Sequence, residues 1–113
     1  MIYHLFWRRL ALLGEKMMSA YMIVFAKIHD RDRFIQEYGV PTAALIGEYG
    51  GEYVLRGPGV EALEGGLFEG TSAVISKWPD KAAIKAFWSS EAYAKLKAAR
   101  QPLADAHVMI VEG

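Results

Sequence analysis

The chain has 113 residues, a length that favours one domain with its own hydrophobic core. It contains 13 Lys and Arg against 13 Asp and Glu, and this balance argues against binding to nucleic acid or to an anionic membrane. The absence of Cys excludes disulfides and thiolate chemistry and favours a cytoplasmic protein. The three His residues, His4, His29 and His107, show no metal-ligand spacing, so we expect no metal and no cofactor.

Residues 1–17 precede the predicted domain, which we place at residues 18–113. The first 16 residues are apolar but interrupted by Arg8 and Arg9, and a transmembrane span needs about 20 apolar residues. No A-x-A cleavage site follows the arginines, so a twin-arginine signal fits poorly. Met17 and Met18 directly precede the first strand, and we interpret the segment as an upstream extension from an early start codon. An amphipathic helix lying on the domain and a membrane-surface anchor are the alternatives.

Hydrophobic periodicity and turn residues predict the element order β-α-β-β-α-β. The strands are predicted at residues 19–28, 52–56, 71–78 and 106–111, and the helices between Asp30 and Gly50 and at residues 81–88 and 91–101. Gly39 and Pro41 predict a break in the first helix, because proline is favoured where a helix restarts. Asp80 and Ser90 are predicted N-caps. The order is that of a ferredoxin-like α+β fold, an antiparallel sheet with two helices on one face.

The predicted strands are apolar on both faces. In the first strand, Tyr21, Ile23 and Phe25 share one face, while Met22 and Val24 share the other. Helices can cover only one face of such a sheet, so the other face needs a second apolar surface. We expect a homodimer in which two copies of the sheet face each other across a two-fold axis and form an α/β barrel. The alternative is that strands this short only appear to have two apolar faces.

Several motifs, in order and spacing, resemble one protein family. Residues 50–57 (Gly-Gly-Glu-Tyr-Val-Leu-Arg-Gly) resemble the G-G-x-x-x-x-R-G signature of the family catalogued as domain of unknown function 1330. Residues 63–65 (Leu-Glu-Gly) are similar to its L-E-G, and residues 87–93 are similar to its W-Y-x-S-x-x-Y element. Arg100 falls where the family has a helix-ending Arg, and residues 111–113 match its usual ending. The resemblance implies a dimeric ferredoxin-like barrel and no known activity.

The chain departs from the family's pattern at two places. Lys77 stands where members often carry Glu, so a positive charge replaces an acid. Phe87 and Trp88 replace a Trp-Tyr pair, so one hydroxyl is missing. A family role that rests on that Glu or that Tyr does not carry over to this chain.

Four residues are candidates for ligand binding. Arg56, flanked by glycines at the end of an apolar strand, could clamp a carboxylate or phosphate, since guanidinium presents a planar fork of donors. A structural ion pair with Glu64 or another acid is its alternative. Gly51 favours close backbone approach, and Ser90 and Arg100 join the candidate site although a helix cap and the helix dipole explain them without a ligand.

Three residues are candidates for catalysis. Glu64 could act as a general base if buried, although loop acids are more often solvated. Tyr93 could donate a proton, although core packing with a bonded hydroxyl also explains it. His107 could be a proton shuttle or a haem ligand, although a satisfied histidine is more common.

These observations support two hypotheses from different classes. The first is a dimeric barrel that binds a small organic anion, including a cofactor-independent enzyme of the monooxygenase or isomerase kind by fold analogy. In it Arg56 orients the anion, and Glu64, Tyr93 or His107 moves the proton. The second is a non-catalytic ligand-sensing or structural module.

Overall fold

The computed structural model describes residues 18–113, and the extension predicted at residues 1–17 lies outside the described residues. In chain order the elements are β1 (Ala20–Ile28), α1 (Arg31–Phe34), a π-helical turn (Ile35–Gly39), α2 (Val40–Glu48), β2 (Glu52–Gly57), β3 (Ser72–Trp78), α3 (Lys81–Trp88), α4 (Glu91–Arg100) and β4 (Ala104–Glu112). The predicted β-α-β-β-α-β order is confirmed. No helix in this part of the chain has the length and apolar character needed to cross a membrane.

The four strands form one antiparallel sheet in the order β2-β3-β1-β4. Met22 of β1 lies opposite Ser76 of β3 and Ile110 of β4, and the helices pack on the face that these residues share. We call it the helix face. The buried core lies between the two layers and consists of Ala20, Met22, Leu45, Ile46, Trp78, Ile84, Phe87 and Tyr93.

We call the other side of the sheet the open face. It carries Tyr21, Ile23, Phe25, Leu55, Ile75, His107, Met109 and Val111. The long β2–β3 connection covers one end of it, where the ring of Phe68 stacks on that of Phe25 at 4.2 Å and meets the ring of His107 at 5.4 Å. The sheet is therefore apolar on both sides, as its sequence predicts.

The predicted break in the first helix is wrong. The backbone stays right-handed helical through Gly39 and Val40, and the irregularity is a π turn in which the N–H of Val40 donates to the carbonyl of Ile35, five residues earlier. Pro41 has no N–H to donate, and its ring crowds the carbonyl four residues before it in a regular α-helix. A wider turn just before Pro41 relieves that crowding without ending the helix.

Three side chains cap helix N-termini, and they include the predicted caps Asp80 and Ser90. Asp30 accepts a hydrogen bond from the backbone N–H of Arg33 at 3.2 Å, and Asp80 accepts one from the N–H of Ala83 at 2.8 Å. The hydroxyl of Ser90 accepts one from the N–H of Tyr93 at 3.1 Å. Each bond satisfies an N–H that the first helical turn would otherwise leave unpaired.

A β-bulge interrupts β2 at Val54. Tyr53 lies opposite Ser76, and Leu55 lies opposite Ile75, so Val54 has no partner of its own on β3. In a regular strand Tyr53 and Arg56 would lie on opposite faces, because side chains alternate. The extra residue shifts the alternation by one position and brings both side chains to the helix face.

Gly51 lies where no side chain fits. An added Cβ would be 2.7 Å from Ile46 Cγ2 and 2.7 Å from Trp78 Cε2, both in the buried core. We expect Gly51→Ala to lower the free energy of unfolding by about 1–3 kcal/mol, the usual cost of overpacking a core. Urea denaturation measures the change.

The control is Gly47→Ala. Gly47 lies in α2 with nothing within 4 Å of an added Cβ. Alanine is the better helix former by about 1 kcal/mol, so this variant should be as stable as the parent or more stable. Equal stability of the two variants would contradict the packing role of Gly51.

Candidate functional site

A cavity of about 530 Å³ lies between the helix face of the sheet and the helical stretch from α1 to α2. Its walls are mainly apolar and include Met22, Val24, Phe34, Ile35, Ile46 and Val74. A volume of this size is typical of pockets that hold small organic molecules.

Three charged side chains line the cavity, and all three are arginines: Arg31, Arg56 and Arg100. Within the described part of the chain, no Asp, Glu, Lys or His side chain reaches its walls. The ion pairs that residues 18–113 form with one another join His29 to Asp105 and Arg33 to Glu37, so none of the three arginines has a carboxylate partner there. The cavity is thus strongly cationic in a chain whose formal net charge is zero.

Arg100 is the most deeply buried of the three. It ends α4, its residue is 7% exposed, and its Nε is buried without a hydrogen-bond partner among residues 18–113. Its guanidinium carbon lies 5.7 Å from the centre of the Tyr38 ring, a cation–π contact. An aromatic face offsets only part of the cost of removing a guanidinium from water, so this group is ready to accept an anion.

Arg31 and Arg56 reach the cavity from exposed positions. Arg31 is the first residue of α1, and its Nη2 donates to Ser72 Oγ of β3 at 3.3 Å. Arg56 reaches the helix face because of the bulge at Val54, and its guanidinium carbon lies 4.6 Å from the centre of the Tyr53 ring. This cation–π contact with Tyr53 does not use the N–H donors of the guanidinium.

Two tyrosines link α4 to the cavity wall. The hydroxyls of Tyr38 and Tyr93 lie 2.8 Å apart, and Tyr38 lines the cavity whereas Tyr93 is 1% exposed in the core behind it. Burial is the main cause of a raised pKa at Tyr38, and the neighbouring Tyr93 raises it further. Burial also raises the pKa of Tyr53. Both phenols of the cavity wall therefore stay protonated at neutral pH, and each can donate a hydrogen bond.

Thr42 supplies a further polar group. It lies on α2, is 3% exposed, and its Oγ1 has no hydrogen-bond partner among residues 18–113. Buried hydroxyls in proteins are nearly always paired. An unpaired hydroxyl on the wall of a cavity is available for a hydrogen bond to a ligand.

The structure brings two of the predicted site residues together and separates the others. Arg56 and Arg100 line the same cavity, and Tyr93 contacts it through Tyr38. Gly51 lies under Trp78 in the core, and Ser90 caps α4.

Glu64 and His107 also lie away from the cavity. Glu64 is exposed on the β2–β3 connection, and Arg56 forms no ion pair with it. His107 is on the open face, on the other side of the sheet from the cavity. In residues 18–113, no cluster of three His, Asp or Glu side chains could hold a metal ion.

The comparisons with known proteins agree with this architecture. Residues 19–113 match the family described as domain of unknown function DUF1330. The chain belongs to the DUF1330 family. No curated protein matches the sequence.

Solved structures show the same fold at low identity to this DUF1330 chain. One is a protein of unknown function, RPA0582, from Rhodopseudomonas palustris, with TM-score 0.68 and 18% identity over 82% of this chain and 80% of that chain. Another is SnoaB, a cofactor-independent oxygenase from Streptomyces nogalater, with TM-score 0.62 and 15% identity over 82% of this chain and 90% of that chain. A third, a protein of unknown function from Bacteroides thetaiotaomicron named as a possible oxidoreductase, has TM-score 0.58 and 16% identity over 88% of this chain and 100% of that chain.

Arg31, Tyr38 and Thr42 line the cavity but are not among the site residues predicted from the sequence. Arg31 has Asp30 and Asp32 as chain neighbours, which suggests a local ion pair, but Asp30 instead accepts the N–H of Arg33. Tyr38 has the spacing of a core residue, and a buried threonine has no sequence signal. The sequence clue to Arg31 is its position three residues after the end of β1, a strand in which alternate residues from Ala20 to Ile28 are all apolar.

The tyrosine pair gives a stability prediction for this DUF1330 protein. Tyr38→Phe should lower the free energy of unfolding by about 1–3 kcal/mol, because the buried hydroxyl of Tyr93 loses its partner. The double variant Tyr38→Phe/Tyr93→Phe should cost less than the sum of the two single variants, since it leaves no hydroxyl unpaired. Urea denaturation of the four proteins checks this, and strictly additive costs would show that the bond contributes nothing.

Proposed function

We propose that this protein binds a small, mainly apolar organic anion in the cavity, with Arg100 as the anchor for its acidic group. The observation that supports this most is the charge of the cavity: three guanidinium groups, apolar walls, and no carboxylate from residues 18–113. In such surroundings a guanidinium binds an anion more strongly than it would in water. The phenol of Tyr38 and the hydroxyl of Thr42 are further donors to the same ligand.

The cavity supports binding better than acid–base catalysis. A general base must lie within hydrogen-bond reach of the proton that it removes. Glu64 and His107 lie elsewhere, and the phenols of Tyr38 and Tyr53 hold their protons. An isomerase mechanism through those residues therefore has no support in the geometry.

Oxygenation without a cofactor is a second candidate function. O2 reacts without a cofactor with a substrate that is ionised as an enolate or phenolate. A substrate that enters the cavity already in that form needs no base from the protein, and guanidinium groups would stabilise its charge in the apolar surroundings. SnoaB, which has a similar fold, is named as a cofactor-independent oxygenase. For this chain the activity is a proposal that oxygen consumption in the presence of the bound anion would support.

The binding proposal is tested with octanoate and its neutral analogue 1-octanol. Titration calorimetry should show tighter binding of octanoate, and Arg100→Gln should weaken that binding by about 10–100-fold, the worth of a hydrogen bond to a charged group. Arg33→Gln is the control, since Arg33 is paired with Glu37 on the exposed helix surface. Equal affinity for octanoate and octanol would contradict an anion site.

We also propose that the protein forms a homodimer through the open face. Met109 and Val111 are 39% and 47% exposed there, beside the apolar Ile23 and Ile75. An apolar sheet face of this kind favours a partner, and a second copy supplies a matching face by symmetry.

Sedimentation of the whole chain tests the dimer. The parent should sediment as a dimer at micromolar concentration, and Val111→Glu should sediment as a folded monomer because a carboxylate would be buried in the interface. Ala82→Glu, on the exposed surface of α3, should stay dimeric. A monomeric parent would overturn the proposal.

A further inference from the structure

The three arginines of the cavity lie in two groups. Arg31 contacts β3 through Ser72, and Arg56 stands on β2 opposite Val74, two residues further along the same strand. Diagonal neighbours on adjacent antiparallel strands are about 7–8 Å apart at the backbone, so these two long side chains share one end of the cavity. Because neither has a carboxylate partner in residues 18–113, they repel each other.

Arg100 lies on the opposite side of the cavity from Arg31 and Arg56. It ends α4, and it also lines a neighbouring groove together with Ala104, Asp105 and Ala106 of β4. In the sheet order β2-β3-β1-β4 the strands β2 and β4 are the two edges. Three strand spacings separate them, about 14 Å at the backbone. The cavity therefore has a cationic group on each side.

The wall between the two groups is mainly apolar. Met22, Val24, Val74 and Val108 cover the sheet side, and Phe34 and Ile46 cover the helix side. A ligand with one acidic group would neutralise Arg100 or the Arg31–Arg56 pair and leave the other group uncompensated. A ligand with two acidic groups joined by an apolar spacer would neutralise both.

We propose that the ligand is an organic dianion, a dicarboxylic acid with an apolar spacer. One carboxylate binds between Arg31 and Arg56, and the other binds at Arg100 beside Tyr38. This inference rests on the proposed function, since it names the class of anion that the same cavity takes. Bidentate pairing of guanidinium with carboxylate explains why arginine and not lysine occupies both ends.

The test compares straight-chain dicarboxylates with monocarboxylates of equal carbon number, from six to ten carbons. In titration calorimetry on the whole chain, at least one dicarboxylate should bind about tenfold more tightly than its matched monocarboxylate, since a second charge-assisted contact forms. Arg56→Gln should remove that advantage, so that the dicarboxylate binds no more tightly than its matched monocarboxylate. Arg56 is exposed, so this variant is expected to fold, and circular dichroism checks that it does.

Arg33→Gln removes one positive charge from the same protein outside the cavity and should retain the full dicarboxylate advantage. Equal affinities for both acid classes at every length, with binding still dependent on Arg100, would overturn the dianion proposal and leave anion binding intact. Failure of both acid classes to bind would overturn the proposed function itself. Retention of the advantage in Arg56→Gln would overturn the assignment of the second carboxylate.

Discussion

A guanidinium removed from water without a carboxylate beside it raises the free energy of a folded protein, and among residues 18–113 Arg100 is held in that state. The residues that surround Arg100 offset part of this cost. The Tyr38 ring offers its face to the charge, and Tyr93 holds Tyr38 through a hydroxyl bond from the core. The ring of Trp88 then lies 5.0 Å from that of Tyr93. This series of contacts connects the hydrophobic core to the cavity wall and keeps the cation where a ligand can reach it.

The sheet divides the molecule into two apolar environments with different chemistry. The helix face holds the core and the cationic cavity, and the open face has side chains such as Ile23 and Met109 that no helix of residues 18–113 covers. Each residue along a strand therefore contributes to one environment only. The bulge at Val54 is the exception to this simple alternation, since it assigns both Tyr53 and Arg56 to the cavity.

Much of the fold could be predicted because it depends on local patterns. Alternating apolar residues, helix caps at Asp80 and Ser90, and glycine turns each act over a few residues, and together they specify the element order. The candidate site depends on contacts between distant segments, such as Arg31 with Ser72 and Tyr38 with Tyr93. Spacing along the chain contains no information about such contacts, and so Arg56 and Arg100 were predicted without the residues that surround them.

The π turn and the β-bulge are two irregular stretches of backbone that lie at the same cavity. The π turn at Ile35–Gly39 and the bulge at Val54 each add one residue to an otherwise regular element. For comparison with relatives, this makes the pairing of β2 with β3 as informative as sequence identity. A relative that keeps every residue of β2 but pairs them with β3 without the bulge would present its arginine on the open face, although an alignment would show that arginine as shared. A change in strand pairing can therefore alter the charge of the cavity without any change of residue type.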